Sequence, residues 1–222
     1  MKIDPTRRTG RWPRRTPRAL LVCMALLAPL TPAIAAPWVA DLSHTRVTFD
    51  VEHLGFSTMP GIFREVAVDL DFDPEAPERT RFTAVIDTAS VDMFHDGLNE
   101  HLRNEDFFDS ATHPQITFTS TRVEPIGPEQ ARVTGDMTLL GRTRPVTFLV
   151  TLRKLAPSPV TSRLTVGFSA VGTVDRTAFG MDFAAPMVGT QIAFTIAAEF
   201  SPGEEADTSA AGADEGRRTT PT

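Results

Sequence analysis

The residues best suited to chemistry are crowded into one stretch of the chain, residues 94–118. It holds three of the five histidines, His95, His101 and His113, together with a run of acids that includes Asp106. Imidazole and carboxylate groups can bind a metal ion or exchange protons. The first hypothesis for this stretch is therefore a metal-dependent or hydrolytic enzyme built on these four side chains.

The spacing of the histidines does not favour that chemistry. His95 and His101 are six residues apart and would lie on nearly opposite faces of a helix, whereas two zinc-binding histidines on one helix face are four apart. The chain has no G-x-S-x-G and no H-E-x-x-H motif, and its single cysteine is Cys23. We therefore expect a protein that is not an enzyme and has no metal or other cofactor. The enzyme built on the histidine cluster remains the alternative.

Most of the chain after residue 44 alternates apolar and polar residues, a pattern typical of strands with one dry and one wet face. Eight segments show it: residues 45–53, 62–72, 82–87, 116–121, 133–139, 146–152, 164–170 and 192–200. They predict an all-β fold, an eight-stranded antiparallel lipocalin-like barrel, with a two-sheet sandwich as the alternative. Residues 54–61 are predicted to form a turn, and residues 175–190 a longer irregular connection.

Residues 94–105 are the exception to this alternation. Apolar residues recur there at intervals of three and four, which predicts about three turns of amphipathic helix. The helix would lie between the third and fourth strands and cover one end of the barrel. Leu98, Leu102, Phe107 and Phe108 would turn toward the opening and make this stretch a lid or portal.

The two ends of the chain carry signals of a different kind. Basic residues precede the apolar run 19–30, and residues 33–35 (Ala-Ile-Ala) supply a small-x-small cleavage signal. We predict that residues 1–35 are a cleaved signal peptide and that the protein is exported to the periplasm. Residues 37–201 would form the barrel domain. Residues 202–222 contain no large apolar residue and are predicted to be a disordered tail.

The net charge of the chain limits the kinds of partner that it could bind. Residues 1–35 hold seven of the 22 basic residues and one of the 28 acidic ones, so the remainder carries 15 basic against 27 acidic residues, a formal net charge of −12. Such a charge disfavours nucleic acid and anionic membrane surfaces as partners. The remainder also contains no cysteine, so it has neither a thiol nucleophile nor a thiolate ligand.

Two polar side chains stand among the apolar residues of the predicted barrel. His53 ends the inward face of the first strand, where it would either be hydrogen-bonded inside the fold or orient the head group of a ligand. Arg176 would either form an ion pair with Asp175 or Asp182, or meet a phosphate or carbonyl group at the barrel mouth. The sequence leaves both choices open.

The predicted inner faces mix large and small residues. Phenylalanine is frequent, with 15 in the chain, and small residues stand among the large ones at Ala84, Gly135, Ala170 and Ala198. Small residues among large ones leave room for an apolar guest. The alternative is an ordinary core in a structural or stress-protective protein.

The sequence resembles the YceI-like family of exported polyisoprenoid-binding proteins over residues 38–200. The motifs that carry the resemblance are Val47-Thr48-Phe49 with His53, Gly61-Ile62-Phe63, Ser90-Val91-Asp92, His101-Leu102-Arg103, Asp106-Phe107-Phe108-Asp109, His113-Pro114-Gln115-Ile116-Thr117-Phe118, Gly135-Asp136-Met137-Thr138-Leu139 and Arg176 with Phe179-Gly180-Met181. The chain departs from the family at Asn99-Glu100, where Arg-Asp is common, and at Gly189-Thr190, where Gly-Asp is common. The first departure removes a positive charge near the helix.

The resemblance implies a lipocalin-like barrel with a long apolar tunnel. The tunnel would hold an isoprenoid tail, such as that of a quinone or a polyprenyl phosphate, or another long amphiphile, for transport, storage or a stress response. Transient contact with a membrane would allow exchange of the ligand, and the protein would be a monomer or a dimer. The residues expected to bind the ligand are Phe49, Val51, His53, Phe63, Ile86, Leu98, His101, Leu102, Phe107, Phe108, Phe118, Met137, Phe148, Phe168, Arg176, Phe179 and Phe194.

Overall fold

The computed structural model describes residues 37–203. The predicted signal peptide, and the predicted tail beyond residue 203, lie outside this range. The strands of the described part are β1 Trp38–Ala40, β2 Arg46–His53, β3 Ser57–Phe63, β4 Val66–Asp71, β5 Arg81–Asp87, β6 Val91–Asp92, β7 Gln115–Pro125, β8 Gln130–Leu139, β9 Arg142–Pro157, β10 Leu164–Asp175 and β11 Gln191–Pro202. One α-helix, α1 Asp96–Arg103, and 3₁₀ turns at Pro77–Arg79, Thr88–Ser90 and Arg176–Phe179 complete the set. No helix in the described range is long and apolar enough to cross a membrane.

The strands close into an eight-stranded antiparallel barrel, as predicted. β1 pairs with β4 and with residues 200–202 at the C-terminal end of β11. β2 pairs with β3 and with residues 193–197 of β11. β1 with β2, and β3 with β4, are therefore two halves of two bent strands. The ring continues through β5, β7, β8, β9 and β10 back to β11, with each strand antiparallel to the next.

The predicted turn at residues 54–61 is wrong beyond Phe56, because β3 already begins at Ser57. The turn itself is short: three residues, 54–56, separate the paired residues His53 and Ser57, and Leu54 and Gly55 both have positive φ, 54° and 72°. Gly61 is a strand residue with a packing role. A Cβ at this position would come within 2.2 Å of the Phe49 ring, which lies against the glycine backbone.

Helix α1 lies where the sequence predicts it, but it has two turns rather than three. It begins after His95, whose Nδ1 accepts a hydrogen bond from the Leu98 N–H at 3.4 Å. It ends at Arg103 because the Asn104 side chain accepts a hydrogen bond from the Asp106 N–H at 2.9 Å and draws the backbone into a turn. The lid is therefore a short helix followed by a compact loop.

Two apolar clusters divide the interior of the barrel. The larger lies on the side of α1 and includes Phe49, Phe63, Phe108 and Met137. The smaller lies on the side of β1, and its buried members are Leu70, Phe72, Val166 and Phe200, with Trp38 and Phe168 packed against them. The inward residues of the long strands run from one cluster into the other, so a single barrel carries both.

Candidate functional site

A cavity of about 450 Å³ occupies the half of the barrel that α1 covers. This volume lies within the range of roughly 300–1,000 Å³ that is typical of small-molecule sites. Most of the wall is aliphatic, aromatic or methionine. The lining residues are Phe49, Val51, His53, Met59, Phe63, Ile86, Met93, Leu98, His101, Leu102, Phe107, Phe108, Ile116, Met137, Leu139, Val174, Arg176, Met181, Phe183, Val188, Ile192 and Phe194.

Thirteen of the 17 residues that the sequence analysis selects line this cavity, and four do not: Phe118, Phe148, Phe168 and Phe179. Phe118 and Phe148 lie below the cavity, where their rings rest against glycines of neighbouring strands. Phe168 belongs to the cluster beside β1, with its ring 5.3 Å from that of Phe72. Phe179 is buried in the 3₁₀ turn after β10 and packs in the larger cluster without reaching the cavity.

The small inward residues do not leave the room that the sequence suggests. A Cβ at Gly135 would stand 2.4 Å from Cζ of Phe118, so the phenylalanine ring already takes that space. Ala84 and Ala170 pack against the larger cluster, and Ala198 packs against the smaller one. The cavity lies elsewhere, between large side chains beneath the lid.

The wall includes residues that the sequence analysis did not select. Met59, Met93, Met181 and Val188 lie in β3, before α1 and in the connection after β10, segments whose sequence shows no clean alternation. Further lining residues, Ile116, Leu139, Val174 and Ile192, lie on regular strands. The alternation that identified Met137 and Phe194 would have found these last four.

The lid contacts the cavity through its apolar face. Phe108 packs edge-on against Phe63 of β3, with ring centroids 5.6 Å apart. The His101 ring stands between Phe107 and Phe183, at 5.0 and 5.4 Å, and its Nε2 lies 3.2 Å from a carboxylate oxygen of Asp106. His101 therefore links α1 to the connection between β10 and β11 at the cavity mouth.

Asp92 fixes the start of α1 to the barrel. Its carboxylate accepts hydrogen bonds from the Phe94 N–H at 2.7 Å, from Nδ2 of Asn99 at 2.9 Å and from Nε of Arg64 at 2.8 Å. The Asn99 amide, the Phe94 N–H and the Arg64 guanidinium, in that order, lower the pKa of this carboxyl from 3.8 to about 2. Asn99, one of the residues at which the chain departs from the family, is thus buried and joins the lid to the barrel through Asp92.

Arg176 holds the irregular connection between β10 and β11 in place. Its side chain is 3% exposed, and its guanidinium donates to the backbone carbonyls of Gly189, Met181 and Val188. Burial lowers the pKa of the guanidinium, and the nearby Asp182 and Asp175 oppose that shift. Neither predicted ion pair forms within hydrogen-bond reach. Arg176 instead ties the irregular connection to the end of β10.

His53 is not a buried core histidine. It ends β2 on the exposed side of the mouth, where it pairs with Ser57 and bridges to Val188. It also lines the cavity. With His101 it supplies polar atoms where the apolar wall meets solvent.

The histidine cluster of the enzyme alternative is not assembled. The His95 ring caps α1 and the His113 ring lies beside Gly141, and of the four side chains His101 and Asp106 are the pair in contact. Within residues 37–203, the group that could hold a metal ion is a different one: Asp41, His44 and Glu199, all exposed.

Comparison with known proteins shows which family the chain is similar to. Residues 38–200 match the model of the YceI-like domain. The chain is 38% identical to protein YceI of Escherichia coli O6:H1 over 144 residues, which are 64% of this chain and 74% of that protein. The crystal structure of BcnA from Burkholderia cenocepacia superposes with a TM-score of 0.66 at 25% identity, over 72% of this chain and 98% of BcnA.

A third protein shares the fold at lower identity. It is a polyisoprenoid binding domain from Saccharophagus degradans, implicated in plant cell wall breakdown, with a TM-score of 0.59 and 12% identity over 76% of this chain and 99% of that domain. The family model covers the barrel from the start of β1 to Phe200 in β11, and it includes the strands and the lid that form the cavity. The chain therefore belongs to the YceI-like family.

Proposed function

We propose that this protein binds one long-chain apolar molecule in the cavity and carries it in the periplasm. The ligand would be a polyisoprenoid, such as a quinone or a polyprenyl phosphate, or a similar amphiphile. The observation that carries the proposal is an apolar cavity of about 450 Å³ whose lining includes three polar residues, His53, His101 and Arg176. The shared fold of the polyisoprenoid binding domain from Saccharophagus degradans supports it.

The size of the cavity argues for an occupant. The side chains of the wall border about 450 Å³ of space and lack packing partners on that side. An apolar chain that filled this space would be stabilised by about 0.8 kcal/mol per buried CH₂ group.

The polar end of the ligand would lie at the mouth. His53 and His101 line the mouth, and within residues 37–203 their ring nitrogens are not hydrogen-bonded to the backbone. The Arg176 guanidinium, in contrast, donates to three backbone carbonyls. Imidazole can donate to or accept from a hydroxyl, a quinone carbonyl or a phosphate. The site can therefore hydrogen-bond the head group of a quinone or of a polyprenyl phosphate while that group remains partly in solvent.

Exposed apolar side chains surround the mouth and suggest how the ligand is exchanged. Leu54 and Phe56 follow His53 in the turn after β2, Phe94 precedes α1, and Met187 lies in the connection between β10 and β11. Phe56 is 88% exposed, and Phe94 is exposed although its φ is 62°, a conformation that bulky residues rarely adopt. We propose that this mouth rim, Leu54, Phe56, Phe94, Phe183 and Met187, touches a bilayer surface when the ligand moves between bilayer and cavity.

The charges beside the mouth rim select the kind of bilayer. Within residues 52–57, 93–96 and 182–188 the formally charged residues are Glu52, Asp96 and Asp182, all acidic. Like charges repel, so the contact would favour zwitterionic over anionic lipid.

Amide hydrogen exchange of the full chain, with and without phosphatidylcholine vesicles, tests the contact. We expect slower exchange in residues 53–57 and 93–98 and no change in the loop 158–163, where Val160 is 89% exposed but remote from the mouth rim. The double variant Phe56→Ser, Phe94→Asn should lose the protection, whereas Val160→Ser should keep it. Equal protection of both regions, or protection that requires anionic lipid, would reject this contact.

The cavity proposal has its own experiment. Organic extraction of the purified protein, followed by mass spectrometry, should release a long-chain apolar molecule in stoichiometric amount. Met137→Arg places a charge in the wall and should abolish its recovery. Thr119→Arg, on the exposed face of β7, is the matched control and should retain the ligand. Equal ligand recovery from the two variants would rule out the cavity as the binding site.

A further inference from the structure

We infer that Phe118 and Phe148 form a floor that limits how much of the ligand chain the barrel can enclose. The inference rests on the proposed function and deepens it, because it sets the length class of the ligand. The closest part of the wall above this floor is Met137, which pairs with Phe118 across β7 and β8. Below the floor lies the cluster beside β1.

The cavity wall ends partway along each of six strands. Its deepest inward residues are Phe49 on β2, Ile86 on β5, Ile116 on β7, Met137 on β8, Val174 on β10 and Phe194 on β11. The next inward positions on these strands are Val47, Ala84, Phe118, Gly135, Gly172 and Ile196, and none of them lines the cavity. Three of these next positions are small residues, which by themselves would leave an opening into the other half.

Two phenylalanine rings close that opening. Phe118 lies over Gly135, and Phe148 lies over Gly172, where an added Cβ would be 2.4 and 2.5 Å from the respective ring. The two rings meet edge to face, with centroids 5.5 Å apart. Both side chains are buried. Because the two glycines have no Cβ, the rings can lie against the backbone and extend across the interior of the barrel.

The floor is supported on both sides. Phe118 stacks on Phe82 at 5.4 Å, and Phe82 also packs against the cluster beside β1. Phe148 meets Phe194 of the cavity wall at 6.5 Å. A ring that moved aside would have to enter space already held by a neighbour, so a ligand chain cannot easily pass the floor.

The volume above the floor sets the length. A cavity of about 150 Å³ holds one benzene molecule, six carbon atoms. The present cavity of about 450 Å³ therefore has space for roughly 18 carbon atoms, or three to four isoprenoid units. The geometry points to a ligand whose enclosed part is that short, with any longer chain left outside the mouth.

A length series tests the floor. The full chain would be titrated, by competition against radiolabelled farnesol, with prenyl alcohols of two to eight isoprenoid units and with saturated fatty alcohols of twelve to twenty-four carbons. We expect affinity to rise by about fourfold per added CH₂ group up to roughly 18 carbons, following the transfer free energy of methylene groups, and then to level off. The limit should be the same for both series.

Variants that remove part of the floor, and variants that add bulk above it, should shift the limit of chain length in opposite directions. Phe118→Ala and Phe148→Ala remove part of the floor and should raise the limit by about one isoprenoid unit. Ile116→Phe adds bulk just above it and should lower the limit. Phe168→Ala, in the cluster beside β1, is the matched control and should leave the limit unchanged. Phe118→Leu keeps more of the core volume and replaces Phe118→Ala if the latter does not fold.

The outcomes separate this inference from the proposed function. Affinity that keeps rising beyond twenty-four carbons in the unmodified protein would overturn the floor and leave the binding function in place. The floor is likewise overturned, with the binding function intact, if Phe168→Ala shifts the limit as much as Phe118→Ala. If alcohols of every length fail to compete, both the floor and the proposed function are overturned.

Discussion

The half of the barrel beside β1 and the half beneath α1 are built from the same kinds of side chain, yet aromatic rings pack directly together in the first, called here the filled half, while the second encloses a cavity. Beside β1, Phe168 meets Phe72 and Phe200 at 5.3 and 6.2 Å, and the Trp38 Nε1–H donates to the Phe72 carbonyl at 2.8 Å. Beneath α1, equally apolar residues such as Phe49 leave about 450 Å³ between them.

The difference follows from what covers each end. β1 pairs with both β4 and β11, so the end beside β1 is closed by strands whose inward side chains meet directly. The other end is covered by α1 and by the connection between β10 and β11, which pack side chains such as Phe108 and Met181 over the interior and leave a cavity beneath them. The apolar residues on the inner faces of the strands thus favour closure of the barrel. Whether an end of the barrel is packed or contains a cavity depends on the element that covers that end.

The largest expected effect compares truncations in the two halves. Phe200→Ala opens a void in the filled half and should lower the free energy of unfolding by about 3–5 kcal/mol. Met137→Ala, in a wall that already borders a cavity, should cost about 2 kcal/mol, the lower end of its range. Urea unfolding of ligand-free protein measures both. Equal losses would mean that the two halves do not differ in packing.

A smaller effect concerns the response of each half to ligand. Farnesol at a hundredfold excess over its dissociation constant should raise the unfolding free energy of the unmodified protein by about 2.7 kcal/mol. Phe200→Ala should gain the same increment, because its cavity is intact and the two sites are separate. Urea unfolding with and without farnesol gives the comparison. A lost increment in Phe200→Ala would show that the filled half supports the ligand directly.

The smallest effect is a pH dependence at the lid. Because the Asp92 pKa is lowered to about 2 in the folded protein, its contribution to stability is complete above pH 3.8 and declines as the pH falls toward 2. The stability difference between the unmodified protein and Asp92→Asn should therefore shrink over that range.

A matched carboxylate on the other side of the barrel sharpens this test. Asp41, beside β1, also has a pKa lowered to about 2, through hydrogen bonds from Ser43 and His44. Asp41→Asn should show a similar acid profile, but only Asp92→Asn should release farnesol faster, because Asp92 holds α1 over the cavity. Equal release from both variants would contradict a lid role for Asp92.

The sequence predicts the barrel because the alternation of residues is a local property of each strand. It does not predict the start of β3, since Pro60 and Gly61 are typical of turns and the packing of Phe49 on Gly61 is a contact across strands. The predicted length of α1 is also wrong. The Asn104 side chain, which ends the helix, reads in the sequence as one more polar residue.

The site is harder to predict than the fold. Phe49 and Phe168 have the same type and the same inward phase, but one lines the cavity and the other fills the opposite end. Which of them borders a void depends on the elements that cover each end. Met181 and Val188 could not be found by periodicity, because the connection that carries them is shaped by the hydrogen bonds of Arg176.

The position of Trp38 has a practical consequence for spectroscopy. The chain has two tryptophans, Trp12 and Trp38, and no tyrosine, and the one in the described range packs against Phe72 in the filled half. Its indole does not line the cavity. The emission of Trp38 will therefore report the unfolding of the barrel while remaining nearly silent when a ligand enters. A sensor of occupancy needs a fluorophore introduced beneath α1.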